Sequence, residues 1–469
     1  MSLISLLSNT ANGLAAIQTK LSTTSNNIAN ANTPGYARQR ANLIEAAASP
    51  LAGNHGSIGN GVVLGDVTQT RDQFVESQLP SAFSQSSAST AESDALTGVS
   101  AFNNGTNGDL TDAISNFYSS LTALVQNPGD ISLRQSATQS AASLASTFNR
   151  TSEALEQARD GIDASIASAV KQVNSDAAQI ADLNRKISVV EGGGGQPNDL
   201  LDQRQNLMDE MAQLIGASEV PDDKGDISLV LPGGTTLVST GMAATLSVQG
   251  DTNNNGHVDI MTTPSDGSAP AMLAQAELGG QIGGLLAARD GALGKASSTL
   301  DTLAFGFASA INKQNRAGFA LDGSPGGDIF TIGATSTNAA AVIAVKPTVA
   351  ANPGLIAAAG AADTVPGDGT NLQAMVDTQA KAILNGLDVQ QGVATLVSDF
   401  GTASAGAQNA AAFDKAMLQN LQDARSSVSG VSIDDEMVGL LQAQHAYEAL
   451  AKVVTTTQSL LETIIQLKQ

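Results

Sequence analysis

The sequence predicts a mainly α-helical chain with a small inserted antiparallel β domain, its N- and C-terminal helices paired as a coiled-coil-like bundle. Three observations carry this. Apolar residues recur every seven positions at both ends of the chain, proline is absent from Ile131 through Glu191, and the apolar period drops to two around residues 217–275.

The N-terminal stretch reads as one amphipathic helix. Leu7, Leu14, Leu21 and Ile28 step by seven, with Leu3, Thr10, Ile17 and Thr24 between them. The helix must end near Ala31, because Pro34 lacks an N–H, disfavours helical geometry at Thr33 and precedes Gly35, which tolerates positive φ. At the far end Leu440, Tyr447, Val454 and Leu461 step by seven, with Leu450 and Ile464 three residues after members of the row and Ala443 and Thr457 completing it. Ser432 followed by Asp435 predicts a capping box there. Residues 1–40 carry Lys20, Arg38 and Arg40 and no acid, whereas residues 430–469 carry five acids and two lysines, so opposite charge favours pairing of the two ends.

Between the ends, Asp109 is placed to cap a helix carrying Leu110, Ile114, Phe117, Leu121 and Leu124, which Asn127-Pro128-Gly129 stops. Phe148, Leu155 and Ile162, then Ile166, Val173, Ile180 and Ile187, place 131–190 on one long helix of roughly 90 Å. Asp199 is expected to cap a following helix with Leu200, Leu207, Met211 and Leu214 on its apolar face and Gly216 beyond its end. Strands are expected near 227–231, 235–239, 244–248 and 258–262, joined by turns at Pro232-Gly233-Gly234 and Asn253-Asn254-Asn255-Gly256. Leu286, Leu293, Leu300 and Phe307 resume the seven-residue step, and further helices are expected around 371–385 and 392–428. The domain division is therefore 1–36 with 430–469 as a terminal helical bundle, 37–216 with 276–429 as a helical rod (329–370 irregular), and 217–275 as the β insert.

Composition narrows the function. With 44 acids against 22 bases the net charge is −22, which disfavours nucleic acid or an anionic membrane surface as a partner. The absence of cysteine excludes disulfides and thiol chemistry. No apolar run reaches a membrane-spanning length, and Ser5, Ser8, Asn9 and Asn12 interrupt the N-terminus, which does not read as a cleaved signal peptide. The three histidines, His55, His257 and His445, are far apart and no nucleophile elbow, P-loop or HExxH motif is present, so neither an enzyme nor a cofactor is expected. One stretch has metal-ligand spacing. Asp251, Asn253, Asn255 and Asp259 occupy positions 1, 3, 5 and 9 of an EF-hand-like loop with Gly256 at position 6, but position 12 is Thr262 rather than a bidentate glutamate. A plain Asn-Gly hairpin turn is the simpler reading, and no metal is assigned.

The run Asn26-Asn27-Ile28-Ala29-Asn30-Ala31-Asn32-Thr33-Pro34-Gly35-Tyr36 resembles the N-terminal signature of flagellar axial proteins, the rod, hook and hook-associated proteins. Asp435-Glu436-Met437 through Ala443-Gln444-His445-Ala446-Tyr447-Glu448 is similar to their C-terminus. Asn198-Asp199-Leu200-Leu201-Asp202-Gln203-Arg204 and the stretch Leu300 to Phe330 resemble the FlgK family of hook-associated proteins. That resemblance implies a structural protein of the hook–filament junction that self-associates in a ring-like layer. It also implies contact with the hook protein and the next hook-associated protein, and binding of an export chaperone at its C-terminus. It further implies an extracellular place in the bacterial flagellum, reached through the flagellar type III export apparatus without a cleaved signal peptide. Leu7, Leu14, Leu21, Ile28, Leu440, Tyr447, Leu450, Val454, Leu461 and Ile464 are the expected assembly interface. Two alternatives stand beside it. A hook or distal rod protein would share the end motifs but not the two internal matches, and a secreted calcium-dependent adhesin or hydrolase would need the Asp251 loop to bind metal.

Overall fold

The computed structural model describes residues 3–50, 57–99, 110–221, 227–383 and 386–467. His55 and Asp109 lie outside these residues. Helix α1 (Leu3–Ala29) is followed by strands β1 (Gln39–Glu45), β2 (Ser49–Pro50), β3 (Ser57–Ile58) and β4 (Val62–Gln69). Helices α2 (Gln73–Thr97), α3 (Leu110–Gln126), α4 (Ile131–Gly192) and α5 (Asn198–Ile215) come next. Strands β5 (Ser218–Pro221), β6 (Ile227–Val230), β7 (Thr236–Ser239), β8 (Met242–Ala243), β9 (Thr245–Gly250), β10 (Val258–Thr263) and β11 (Ala271–Met272) form the insert. The chain returns through α6 (Gly280–Leu286), a π-helical stretch (Ala287–Leu293), α7 (Gly294–Arg316), β12 (Phe330–Thr331), α8 (Ala339–Val342), β13 (Ala344–Val345), α9 (Pro347–Ala351) and α10 (Thr370–Val376). It ends in α11 (Val389–Ser429) and α12 (Ile433–Gln466).

The long helix forms as its pattern predicts. Asp130 caps it, accepting from the Ser132 and Leu133 amides, and α4 then runs uninterrupted for 62 residues. Phe148, Leu155, Ile162, Ile166, Val173, Ile180 and Ile187 are all buried, because one face of α4 meets α3, α5 and the helices that return after the β insert. Leu286, Leu293, Leu300, Leu303 and Phe307 fill the opposite side of the same core. Phe307 sits edge-on to Phe117 and Phe330 at 5.4 Å, a geometry favoured by the ring quadrupoles. A second, smaller cluster of Val75, Leu79, Phe83 and Ala212 fastens α11 to α2 through Leu418, Leu421 and Ala424.

The insert consists of two antiparallel sheets, β5-β6-β7-β8 and β11-β10-β9. Both predicted hairpin turns are present, between β6 and β7 and between β9 and β10. Residues 329–370 hold little regular structure and are pinned instead by polar side chains. Buried Arg134 donates to the carbonyls of Pro128 (2.7 Å), Gly354 (3.2 Å) and Ile356 (2.6 Å). Asn312 donates to Phe330 O at 2.9 Å and accepts from the Ile329 and Phe330 amides.

Several sequence expectations need correction. Asp199 does not cap α5: the helix begins at Asn198, so Asp199 lies within its first turn and Pro197 precedes it without a side-chain cap. The buried face of α5 is Asp202, Arg204, Met208, Met211, Ala212 and Ile215, with Leu200, Leu207 and Leu214 half-buried at its edges. The face is rotated because its polar members find partners on other elements, Asp202 at Arg71, Asp209 at Arg425 and Arg204 at the Asn184 amide. The helix expected at 371–385 is short, α10 giving way to a 3-10 turn at Asp377–Ala380, where Thr378 Oγ1 bonds to Met375 O and lies 3.1 Å from Tyr118 Oη. Strands β1 and β4, ahead of the helical region, pair antiparallel as a ribbon. The π stretch after α6 was also not anticipated.

Candidate assembly interface

Helices α1 and α12 pack against each other, and two contacts fix their direction. Asn27 Nδ2 lies 3.2 Å from Glu436 Oε2, and a methyl group placed on Gly13 would lie 3.2 Å from Leu450 Cδ1. Fourteen residues back along α1 correspond to fourteen forward along α12, so the helices are antiparallel. The residues most deeply buried are small or polar: Thr10, Gly13, Ala16, Thr23, Thr24 and Asn27 on α1, and Glu436, Ala443 and Thr457 on α12. Each buried threonine can satisfy its hydroxyl within its own helix, as Thr10 does at Leu6 O and Thr457 at Val453 O, and so turns a methyl group outward.

The expected interface residues flank this close-packed centre. Leu7, Leu14, Leu21 and Ile28 are half-buried, as are Leu440, Leu450, Val454 and Leu461. Tyr447 and Ile464 are exposed. In the observed register Thr457 lies near Leu6, so beyond Leu461 helix α12 extends past the described start of α1, and Ile464 has no α1 residue to cover it.

The asparagine-rich motif builds the junction between this pair and the rest of the chain. Buried Asn27 donates to Gln39 O at 2.8 Å as well as to Glu436, and its Oδ1 accepts from Gln39 N at 2.9 Å and from Tyr36 Oη at 2.8 Å. Arg38 Nε reaches Glu436 Oε1 at 2.7 Å and Arg38 N donates to Ser429 O. Burial, reinforced by the nearby Asp202, Asp199 and Glu436 carboxylates, pushes the Tyr36 phenol up to about 12, so it remains a donor across the ordinary pH range. Gly35 has φ +74°, and a side chain there would collide with Asn206, whose amide reaches Pro34 O. Asn26, Asn32 and Pro34 are exposed. Asn30 Nδ2 returns to Asn26 O and Oδ1 to close the helix end.

The 198–204 run serves the same junction. Asn198 Nδ2 donates to Val67 O, and Asp202 accepts from Gln69 Nε2 at 2.9 Å and Arg71 Nη2 at 2.6 Å, docking the β1–β4 ribbon on α5. Arg425 bridges Glu76 and Asp209 at 3.1 and 2.8 Å and ties α11 to the same place. The motif is recognisable in the sequence as a signature, whereas partners such as Glu436, Asp202 and Arg425 lie from about 130 to about 400 residues away.

The Asp251 loop is the β9–β10 connection. Asp251 N donates to His257 O, and Asp251 O accepts from Asn254 N and Gly256 N. Asn255 and Gly256 take positive φ. Asp259 lies in the ladder opposite Gln249. Asn254, a position the EF-type spacing does not use, accepts from Arg159 and donates to Asp290.

Beside the α1 seam, α12 carries apolar side chains that the described residues leave uncovered, interspersed with polar ones such as His445, Glu448, Lys452 and Ser459. Val453, Leu460 and Leu467 step by seven along it and are exposed, as are Met437, Val438 and Leu441. Single exposed apolar residues are ordinary, whereas a contiguous apolar face marks a contact surface. No described helix is long and apolar enough to cross a membrane.

Comparison with known proteins agrees with this arrangement. Residues 7–36 match the family described as flagella basal body rod protein, and residues 422–467 the flagellar basal body rod FlgEFG protein C-terminal family. Residues 99–330 match the flagellar hook-associated protein FlgK helical domain. The flagellar hook-associated protein 1 of Bacillus subtilis is 30% identical over 96% of this chain and 96% of its own length. That of Escherichia coli is 29% identical over 99% of this chain and 100% of its own. The solved structure of the flagellar hook junction protein FlgK from Burkholderia pseudomallei shares the fold, with a TM-score of 0.67 and 19% identity over 75% of this chain and all of that one. The ends thus define a flagellar axial protein. Within that class, the chain belongs to the FlgK family of hook-associated proteins, structural components of the bacterial flagellum.

Proposed function

We propose that this chain forms the hook–filament junction, assembling as a ring-like layer through its terminal helices and contacting the hook protein on one side and the next hook-associated protein on the other. The observation that carries this is the uncovered row Val453, Leu460 and Leu467 beside the in-chain seam of α12. A helix that satisfies one apolar stripe within its own chain and leaves a second one bare is built to pack against further helices. The role is structural rather than catalytic. The chain leaves the cell through the flagellar export apparatus, and the same exposed stripe offers a chaperone an amphipathic surface before assembly.

The experiment compares two neighbouring leucines in a deletion strain complemented with single variants. Leu460 is exposed, so Leu460→Asp leaves the secreted monomer folded while abolishing motility and shedding filament subunits into the medium. Leu461→Asp at the in-chain seam also loosens α12 from α1. Swimming cells with normal filaments carrying Leu460→Asp would remove the uncovered row from the assembly interface.

A further inference from the structure

The β9–β10 hairpin meets α4 at a cluster that the assembly role does not use. His257 is 2% exposed. Its Nδ1 lies 2.7 Å from Asp163 Oδ2, and Asp163 Oδ1 in turn accepts from Arg289 Nη1 at 2.6 Å. The Asp163 carboxylate, already held by a guanidinium, accepts from Nδ1–H of the imidazole, which turns Nε2 toward Glu156. That Nε2 is buried and makes no hydrogen bond, although Glu156 Oε1 lies 3.2 Å away. Nε2 and the Glu156 carboxylate thus lie at ligand-to-ligand distance with no hydrogen bond aligned between them. Glu156, Asp160 and His257 place one ligand atom each within 4.8 Å of one another.

We propose that Glu156, Asp160 and His257 bind a divalent transition-metal ion, Zn²⁺ foremost, bridging the β9–β10 hairpin to α4. Three independent features fit. With Zn–N and Zn–O bonds of about 2.0–2.2 Å, tetrahedral ligand atoms stand roughly 3.3–3.6 Å apart, and Nε2 and Oε1 lie at 3.2 Å, at the short end of that range. Asp163 holds Nδ1–H as an outer partner that fixes the tautomer and orients the ring, the usual support for a metal-bound histidine. Four carboxylates, Glu156, Asp160, Asp163 and Asp290, face only two guanidiniums, Arg159 and Arg289, so a dication balances the local charge. An imidazole with two carboxylates suits Zn²⁺ or its first-row neighbours, whereas Ca²⁺ and Mg²⁺ favour all-oxygen shells. Asp160 is exposed and Glu156 half-exposed, giving the ion an entry path and leaving the remaining position to water. Bound metal would stitch the hairpin, α4 and, through Asp163 and Arg289, the π-helical stretch into one unit.

The test is equilibrium dialysis of the full-length, chelator-stripped chain against Zn²⁺ in the presence of millimolar Mg²⁺, read alongside the melting temperature. One tight equivalent and a rise in melting temperature are expected. Asp160→Asn changes an exposed side chain and preserves the fold, and it should weaken binding at least tenfold and abolish the thermal shift. Asp163→Asn should weaken binding roughly 10–100-fold through the lost outer contact. His445→Ala, which removes an exposed histidine elsewhere, should leave the tight equivalent intact, as should Asp251→Asn in the hairpin turn. Three outcomes would overturn the proposal: no stoichiometric Zn²⁺ bound by the wild-type chain, the same affinity in Asp160→Asn, or nitrogen chemical shifts showing a doubly protonated His257 ring unchanged by Zn²⁺.

Discussion

Replacing Asn27 by alanine should detach the terminal helices without melting the rod. The side chain is buried and holds four hydrogen bonds, two from its amide to Gln39 O and Glu436 Oε2 and two to its carbonyl from Gln39 N and Tyr36 Oη. Neutral bonds of this kind contribute about 0.5–1.5 kcal/mol each and one to a carboxylate about 1.5–3, and the stranded Gln39 backbone adds a desolvation penalty, so a local loss of roughly 4 kcal/mol is expected. That corresponds to about a thousandfold increase in local opening, since each 1.4 kcal/mol is tenfold. The remaining resistance comes from a seam centred on Thr10, Gly13, Ala443 and Thr457, from its half-buried flanking leucines, and from the Arg38–Glu436 pair. The rod core around Phe148, Phe307 and Phe330 does not include Asn27. Amide hydrogen exchange of the full-length monomer reads both parts separately. Protection across 10–30 and 440–460 should fall by two to three orders of magnitude while α4 keeps its own. A loss below threefold at the termini, or an equal loss in α4, would refute the assignment of Asn27 as the local pin.

Three further outcomes follow from single residues. Gly35→Ala forces a side chain into positive φ and against Asn206, which should cost at least about 1–2 kcal/mol at the junction, with Asn206→Ala partly restoring protection of the 30–39 amides. Arg134→Met strands the carbonyls of Pro128, Gly354 and Ile356 and should lower unfolding stability by about 3 kcal/mol or more in a denaturant titration. The Gly360 and Thr370 amides, with the Thr364 and Thr370 hydroxyls, hold the Asp368 carboxyl down to about 2. Because its folded value lies below the unfolded one, its support for the 360–370 turn is full above pH ~4 and lost as pH falls through about 2. A carboxyl titration of Asp368 centred near 4 would contradict this.

What was legible in the sequence was whatever leaves a period. Seven-residue rows gave α4 and α7 with the correct buried faces, because a helix packed along one side must repeat its apolar residues. The β insert was legible from alternation and Asn-Gly turns. Polar residues that fold inward were not legible. Asp202, Arg204 and Asp209 turned the face of α5 away from its leucines, because their partners Arg71, Asn184 and Arg425 come from distant segments. Nothing in local pattern announces a charge that will be neutralised across such a separation. His257 is the same case: by sequence it is one histidine in a turn, and it joins Glu156, Asp160 and Asp163 only because β9–β10 folds back on α4.

The terminal helices show why a correct periodicity can still leave the contact undecided. Helix α12 carries three adjacent seven-residue rows: Leu440-Tyr447-Val454-Leu461, Ala443-Leu450-Thr457-Ile464, and Ala446-Val453-Leu460-Leu467. An apolar row states that a helix has a neighbour, but not whether that neighbour belongs to the same chain. Within the monomer the boundary between the first two rows faces α1, which buries Ala443 and Thr457 and half-covers Leu450, Val454 and Leu461. The third row begins small and ends large, and α1 leaves its larger members bare. One side of the helix therefore serves the fold and the other remains for assembly. A charge in the first row reports on both at once, whereas a charge at Leu460 reports on assembly alone, so the position one residue along the helix is the more decisive probe of how this chain joins its neighbours.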